Sequence, residues 1–150
     1  MTRRMAIAVL SLAGIFLAAY LTLYKLGYIE TLACGSGSCE VVQASRWSKL
    51  FGQPVALWGL GFYVAMFALS VAGTMDRFVE SRNVSLGLAL MSGWGVLFSG
   101  WLSYVEVARL HAICRFCVGS ALLVLALFAL SALDLTRVSA ASTDPRRPQA

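Results

Sequence analysis

Apolar positions along the chain gather into four long blocks, at residues 5–24, 55–75, 84–104 and 113–133, parted by polar and charged stretches. No charge interrupts the first block, and Pro54 stands just ahead of the second, where a helix tolerates it. Crossing a bilayer takes roughly 20 apolar residues at about 1.5 Å each, so every block predicts a membrane-spanning helix. The pattern therefore predicts an all-α membrane protein: a four-transmembrane-helix bundle forming one domain over residues 1–133. The polar remainder, 134–150, is expected to be a disordered tail. The 25–53 segment is long for a connector, and long ordered loops are usually functional. Residues 41–51 carry their own helical pattern: Trp47, Leu50 and Phe51 are expected on the membrane, with Arg46 and Lys49 facing headgroups. That predicts a short lid helix over the bundle.

Composition agrees. The chain is 59% hydrophobic and 13% charged, with a mean hydropathy of +0.78, whereas soluble domains run to about 45–50% apolar and about 25% charged. Soluble, disordered, collagen-like and coiled-coil classes are excluded. A net charge of +5 raises nucleic acid as a partner, but the cations fall between apolar blocks rather than on one polar face. They read as membrane flanks, and no nucleic-acid partner is expected. If both termini share a side with the 76–83 loop, that side holds Arg3, Arg4, Arg77, Arg82, Arg137, Arg146 and Arg147. The other side holds Lys25, Arg46, Lys49, Arg109 and Arg115. The bias places the termini in the cytoplasm, and the 25–53 and 105–113 segments outside. A cleaved signal peptide does not fit, because the first block exceeds a normal signal core and no A-x-A-like site follows. Thr31-Leu32-Ala33-Cys34 faintly resembles a lipoprotein cleavage site, but Lys25 and Glu30 part it from the apolar core. Small residues four apart (Gly61 and Ala65, Ala68 and Ala72, Gly95 and Ser99) have the spacing that brings helices close in lipid.

The four cysteines form two pairs, Cys34 and Cys39 in Cys-Gly-Ser-Gly-Ser-Cys, and Cys114 and Cys117 in Cys-Arg-Phe-Cys. An even number of crossings separates the pairs, so all four thiols lie at one membrane face whichever way the chain is oriented. At the outer face they meet an oxidising compartment. Three readings compete. Two structural disulfides are the ordinary one, but a Cys-x-x-Cys ring closes so short a loop that it stabilises little. A zinc site has acceptable spacing, yet His111 is the only histidine, and no metal is expected. Redox chemistry fits the surroundings better. Cys114 and Cys117 fall in the first turns of a helix, whose dipole favours a thiolate, and Arg109, His111 and Arg115 push the same way. The thiolate is the attacking species in disulfide exchange. Positions 114, 117 and 121 are expected on one helix face, pointing into the bundle.

Cys34, then Cys39-Glu-Val-Val-Gln-Ala-Ser45-Arg46-Trp47, Phe51-Gly52, Gly59, Phe62-Tyr63 and Cys114-Arg-Phe-Cys117 together resemble the vitamin K epoxide reductase family, over residues 5–133. The resemblance implies a four-helix bundle around a quinone, with a loop cysteine pair relaying electrons to the Cys-x-x-Cys pair. Bacterial and plant members similar to this chain oxidise a thioredoxin-like partner and reduce a membrane quinone, while vertebrate members reduce vitamin K epoxide and its quinone. Carried over, Cys34 and Cys39 are the shuttle pair, Cys114 exchanges with the shuttle, Cys117 delivers electrons to the quinone, and Ser45 helps organise the site. Which shuttle cysteine meets the partner stays open. The polar residues with which vertebrate members hold the vitamin K ring correspond to Val55 and Ala121, which favours quinone over epoxide as substrate. No fused thioredoxin domain is expected from the sequence, and the partner is expected in trans.

Periodicity adds a quinone-site expectation of its own. Val55, Trp58, Gly59 and Phe62 share one helix face, with two aromatics around a glycine, and Phe116 sits between the cysteines. Ordinary helix packing and an interfacial aromatic belt explain the same pattern. The combined reading is a thiol:quinone oxidoreductase of the bacterial inner membrane that supports disulfide formation in exported proteins. Its acceptor is a menaquinone, ubiquinone or vitamin K-type quinone. The alternatives are a vitamin K quinone or epoxide reductase and, outside enzymes, a four-span protein with structural disulfides. The bacterial disulfide bond formation protein B family also has four helices and two cysteine pairs. There, however, the Cys-x-x-Cys lies in the first outer loop, the reverse of the order here.

Overall fold

The computed structural model describes residues 2–30, 38–78 and 81–146. Four long helices carry the apolar blocks: α1 (Thr2–Lys25), α3 (Val55–Ala72), α4 (Arg82–Val105) and α5 (Arg115–Thr143). All four are long and apolar enough to cross a membrane. A short helix, α2 (Ser38–Ala44), and a 3-10 turn (Arg46–Ser48) lie between the first two spans. A minimal hairpin follows, β1 (Lys49–Leu50) antiparallel to β2 (Gln53–Pro54). Its turn residues Phe51 (φ 52°) and Gly52 (φ 79°) are both left-handed, as a two-residue hairpin turn of the I′ kind requires. The chain is thus an all-α membrane bundle of four helices.

α1 packs most extensively on α3 and α5, and α4 on α5, whereas α3 and α4 meet over a shorter stretch. Two glycines permit the close approaches. A Cβ on Gly14 of α1 would lie 2.3 Å from the Tyr63 ring, and one on Gly95 of α4 would lie 2.8 Å from Phe62. Gly95 was expected at a helix contact, but Gly61 has no neighbour within 4 Å of its Cβ position and serves no close packing. Ile7, Ala18, Tyr63, Met66, Leu88, Val124 and Leu127 form the central core. Phe16, Trp94, Leu97 and Leu122 face outward, toward lipid in a bundle of this class.

At the end holding the N-terminus the four spans are tied by Arg4, only 2% exposed. Its guanidinium donates from Nε to Asp134 of α5 (3.0 Å), from one terminal nitrogen to the Phe78 (2.9 Å) and Gly73 carbonyls, and from the other to Ser85 of α4 (2.9 Å). Ser85 donates in turn to Asp134 (2.6 Å), and Ser70 of α3 to the Arg4 carbonyl. This explains a departure from expectation. The last helix does not end near residue 133 but continues to Thr143, because Asp134 is a buried anchor and nothing breaks the helix before Pro145. Residues 147–150 lie outside the described residues.

Residues 41–51 also depart from the expected single lid helix. α2 stops at Ala44, where Ser45 turns extended (φ −68°, ψ 156°) and its hydroxyl donates to the Val42 carbonyl (2.7 Å). A side chain bonding back to its own helix's carbonyl competes with continuation of that helix. Trp47 is not spread on a membrane surface but packs edge-on against Trp101 of α4, ring centroids 5.9 Å apart. Lys25, at the end of α1, donates to the Ser48 hydroxyl (2.6 Å) and to the Gln43 carbonyl, fastening the lid to the bundle.

Candidate functional site

Cys114 is the residue before α5, in extended conformation (φ −87°, ψ 119°), and Cys117 lies in the helix's first turn. Both are free thiols, Cys114 buried and Cys117 half-buried. They hydrogen-bond to each other. The Cys114 thiol is lowered from 9.0 to about 7, first by the hydrogen bond from Cys117 and further by the backbone N–H groups of Cys117 and Phe116. Burial and the neighbouring Glu106 act in the opposite sense. The cations expected to help, Arg109, His111 and Arg115, are all exposed; the Cys117 thiol, and after it the open N-terminal turn of α5, supply the effect.

The lid brings the other pair into range. Cys39 is disulfide-bonded, fully buried, and belongs with Leu21, Val42 and Cys114 to one cluster, against which Cys117 packs. Cys34 lies outside the described residues. Four residues on from Cys39, on the same face of α2, Gln43 reaches from its side-chain nitrogen to the Cys117 sulfur (3.9 Å).

Beneath the lid is a cavity of about 790 Å³, a normal size for a small-molecule site. Val55, Trp58, Gly59 and Phe62 line it with most of the first turns of α3, together with Ser45, Cys117, Ser120 and Glu106. A Cβ on Gly59 would meet nothing within 4 Å, so that side of α3 leaves room. Trp58 (50% exposed) and Trp94 (70%) are on the wall and yet open to the outside. They flank the cavity on its α3 and α4 sides. Largely apolar walls, a thiol, an amide and a carboxyl suit a flat quinone ring with an apolar tail, and Val55, Trp58, Gly59 and Phe62 would hold it. Among the described residues no group of His, Cys, Asp or Glu is arranged to bind a metal.

Two expected contacts fall elsewhere. Phe116 is not on the cavity wall but stacks tilted on Tyr20, centroids 5.3 Å apart. Ala121 is not on it either; α5 presents Cys117, Ser120 and Val124. The wall follows positions 117, 120 and 124 of α5, while Cys114 precedes the helix and does not share its period. Ser45 lines the cavity, but its hydroxyl is bonded to a backbone carbonyl rather than to a thiol.

Gln43 and Tyr63, present in the motifs but without a role there, and Ser120 and Glu106 also belong to the site. Tyr63 and Ser120 join hydroxyls (2.7 Å) under the cavity. Glu106 opens a π-helical turn (Glu106–Leu110) that ends on left-handed His111 (φ 49°), the kind of irregularity frequent at functional sites. Its carboxyl accepts the Cys114 N–H (3.4 Å) and meets the Cys117 thiol. The signal was available: an acidic residue ending an apolar span marks a functional position by default. The model of the vitamin K epoxide reductase family matches residues 5–132, taking in most of all four spans, the lid and both cysteine pairs.

Proposed function

This chain belongs to the vitamin K epoxide reductase family, a family of membrane thiol oxidoreductases linked to a quinone, and on that premise we propose that it carries electrons from a thioredoxin-like protein, bound in trans, to a membrane quinone. The observation that carries the reading is the cluster joining Cys39, Cys114 and Cys117 beside an apolar cavity. The partner dithiol reduces a Cys34–Cys39 disulfide and leaves as a disulfide. Cys39 is buried with Cys114, so Cys39 is the shuttle cysteine that attacks it, and Cys34 is the one that meets the partner. Attack on the Cys114–Cys117 disulfide releases the Cys117 thiolate; Cys34 then closes on Cys39 and frees Cys114. Two electrons and two protons leave the Cys114–Cys117 dithiol for the quinone, and the inner disulfide reforms. A bonded Cys39 beside free Cys114 and Cys117 corresponds to the state from which the quinone is reduced.

Val55, Trp58, Gly59 and Phe62 hold the ring, a menaquinone, ubiquinone or vitamin K type, and Ser45 fixes the lid that covers it. The termini face the cytoplasm of a bacterial inner membrane and the cysteines face outward, where the net effect is disulfide formation in exported proteins. The test is hydroquinone formation from a reduced thioredoxin-like protein. Cys34→Ala is expected to lose partner-driven turnover yet respond to a small dithiol, while Cys117→Ala loses both. Full activity in Cys117→Ala would overturn the route.

A further inference from the structure

Reducing a quinone takes two electrons and two protons, and both protons must end on ring oxygens. Under the lid these come from groups on the cavity wall. Among the described lining residues the wall holds one carboxyl, Glu106, which is 5% exposed. Among the described residues no Lys or Arg nitrogen lies within ion-pair reach of it; the ion pair of the bundle is Arg4 with Asp134, at the far end. An unpaired carboxyl in so buried a place is costly as an anion and is more readily kept neutral, with its proton. Glu106 meets the Cys117 thiol and accepts the Cys114 backbone N–H, so it stands at the thiol that faces the cavity. No step described so far uses it.

We infer that Glu106 is a catalytic proton-transfer residue of the quinone site, holding in its carboxyl one of the two protons that reduction consumes and delivering it to a quinone oxygen. The inference rests on the quinone-reduction reading above. Cys114, whose thiol is lowered to about 7, enters the step as a thiolate, Cys117 as a thiol and Glu106 as a carboxylic acid. The Cys114–Cys117 S–S bond forms, the Cys117 S–H and Glu106 O–H bonds break, and two electrons and two protons pass to the quinone. Hydroquinone, the disulfide and a Glu106 carboxylate result, with one negative charge before and after. The next dithiol from the partner brings two protons with its two electrons, one returning to Cys117 and one to Glu106. Around Glu106 the titratable groups are the Cys114 and Cys117 thiols of α5. α2 presents the neutral Gln43 amide, Lys25 of α1 is engaged by Gln43 and Ser48, and Tyr63 of α3 by Ser120.

The full chain in lipid nanodiscs, given dithiothreitol and a short-chain ubiquinone analogue, tests this with Glu106→Gln and Glu106→Asp. Gln can still accept the Cys114 N–H but holds no transferable proton. Glu106→Gln is expected to lose about 10²-fold or more in kcat with little change in KM, and to lose the pH dependence that the carboxyl confers, while Glu106→Asp restores part of the rate. Stoichiometric thiol exchange at Cys39, followed without quinone, is expected to fall far less than quinone reduction does. In infrared difference spectra a protonated-carboxyl band present in the dithiol state should vanish in the disulfide state, and be missing from Glu106→Gln. Wild-type kcat and pH profile in Glu106→Gln would overturn the inference, as would an equal loss of thiol exchange, the mark of a structural role. A wild type that exchanges thiols but reduces no quinone would overturn the quinone reading, and this inference with it.

Discussion

The two ends of the bundle solve opposite problems with similar residues. At the N-terminal end a buried cation and anion, Arg4 and Asp134, are paired with each other and bonded further by Ser85 of α4 and by carbonyls of the turn after α3. At the cysteine end a buried carboxyl, Glu106, has no cation among the described residues, the helix carrying it loosens into a π turn, and a cavity parts α3 from α4. A polar group that is fully paired fixes a structure. One that is left partly paired remains available to bind or to exchange a proton. The closed end holds the frame against which the open end works.

The contrast can be broken most severely at Arg4. Arg4→Met leaves Asp134 buried without its cation, and losing one partner of a buried pair costs about 3–5 kcal/mol. Thermal unfolding in nanodiscs should show that loss, while the folded fraction keeps its thiol chemistry. Survival of full stability would mean that the closed end does not hold the frame. A smaller effect separates two glycines. Gly14→Ala drives a Cβ to 2.3 Å from the Tyr63 ring and should destabilise by about 1–3 kcal/mol. Gly59→Ala meets open space and should be neutral, or stabilising by up to about 1 kcal/mol, while raising KM for the quinone. Equal losses of stability would show the cavity to be as tightly packed as the core. The smallest expected change concerns Cys114. Its folded value is depressed, so the thiolate forms as pH rises through about 7 and is lost below it. A carbon-13 titration of the reduced protein should give that midpoint, moved upward in Cys117→Ala, which lacks the hydrogen bond from the thiol. An unmoved midpoint would assign the shift to the helix terminus alone.

What the sequence made legible was whatever depends on composition over many residues. Four spans and the return of the chain that brings Cys39 to Cys114 and Cys117 follow from hydropathy and helical period. What escaped depends on where a helix begins and ends. Arg4 reads as a membrane flank because its acidic partner lies 130 positions away, beyond any local pattern. Phe116, suggested by its place between the cysteines, and Ala121, suggested by family correspondence, miss the cavity because α5 begins only after Cys114 and turns Cys117, Ser120 and Val124 toward it. Glu106 reads as the first polar residue after a span. Only the π turn, invisible in a hydropathy pattern, carries it back over the thiols.

On the proposed function, a cavity wall shared by two membrane-spanning helices, α3 and α4, also decides which concentration the enzyme responds to. A site entered from water follows the amount of ligand per volume of buffer. A site entered from the apolar layer follows the number of acceptor molecules per lipid. Adding lipid at constant protein and quinone should therefore slow turnover by simple dilution within two dimensions, although nothing in the bulk solution has changed. On the proposed function, with Trp58 and Trp94 exposed on the cavity wall, the rate of thiol oxidation becomes a reading of how crowded the membrane is with oxidised carrier.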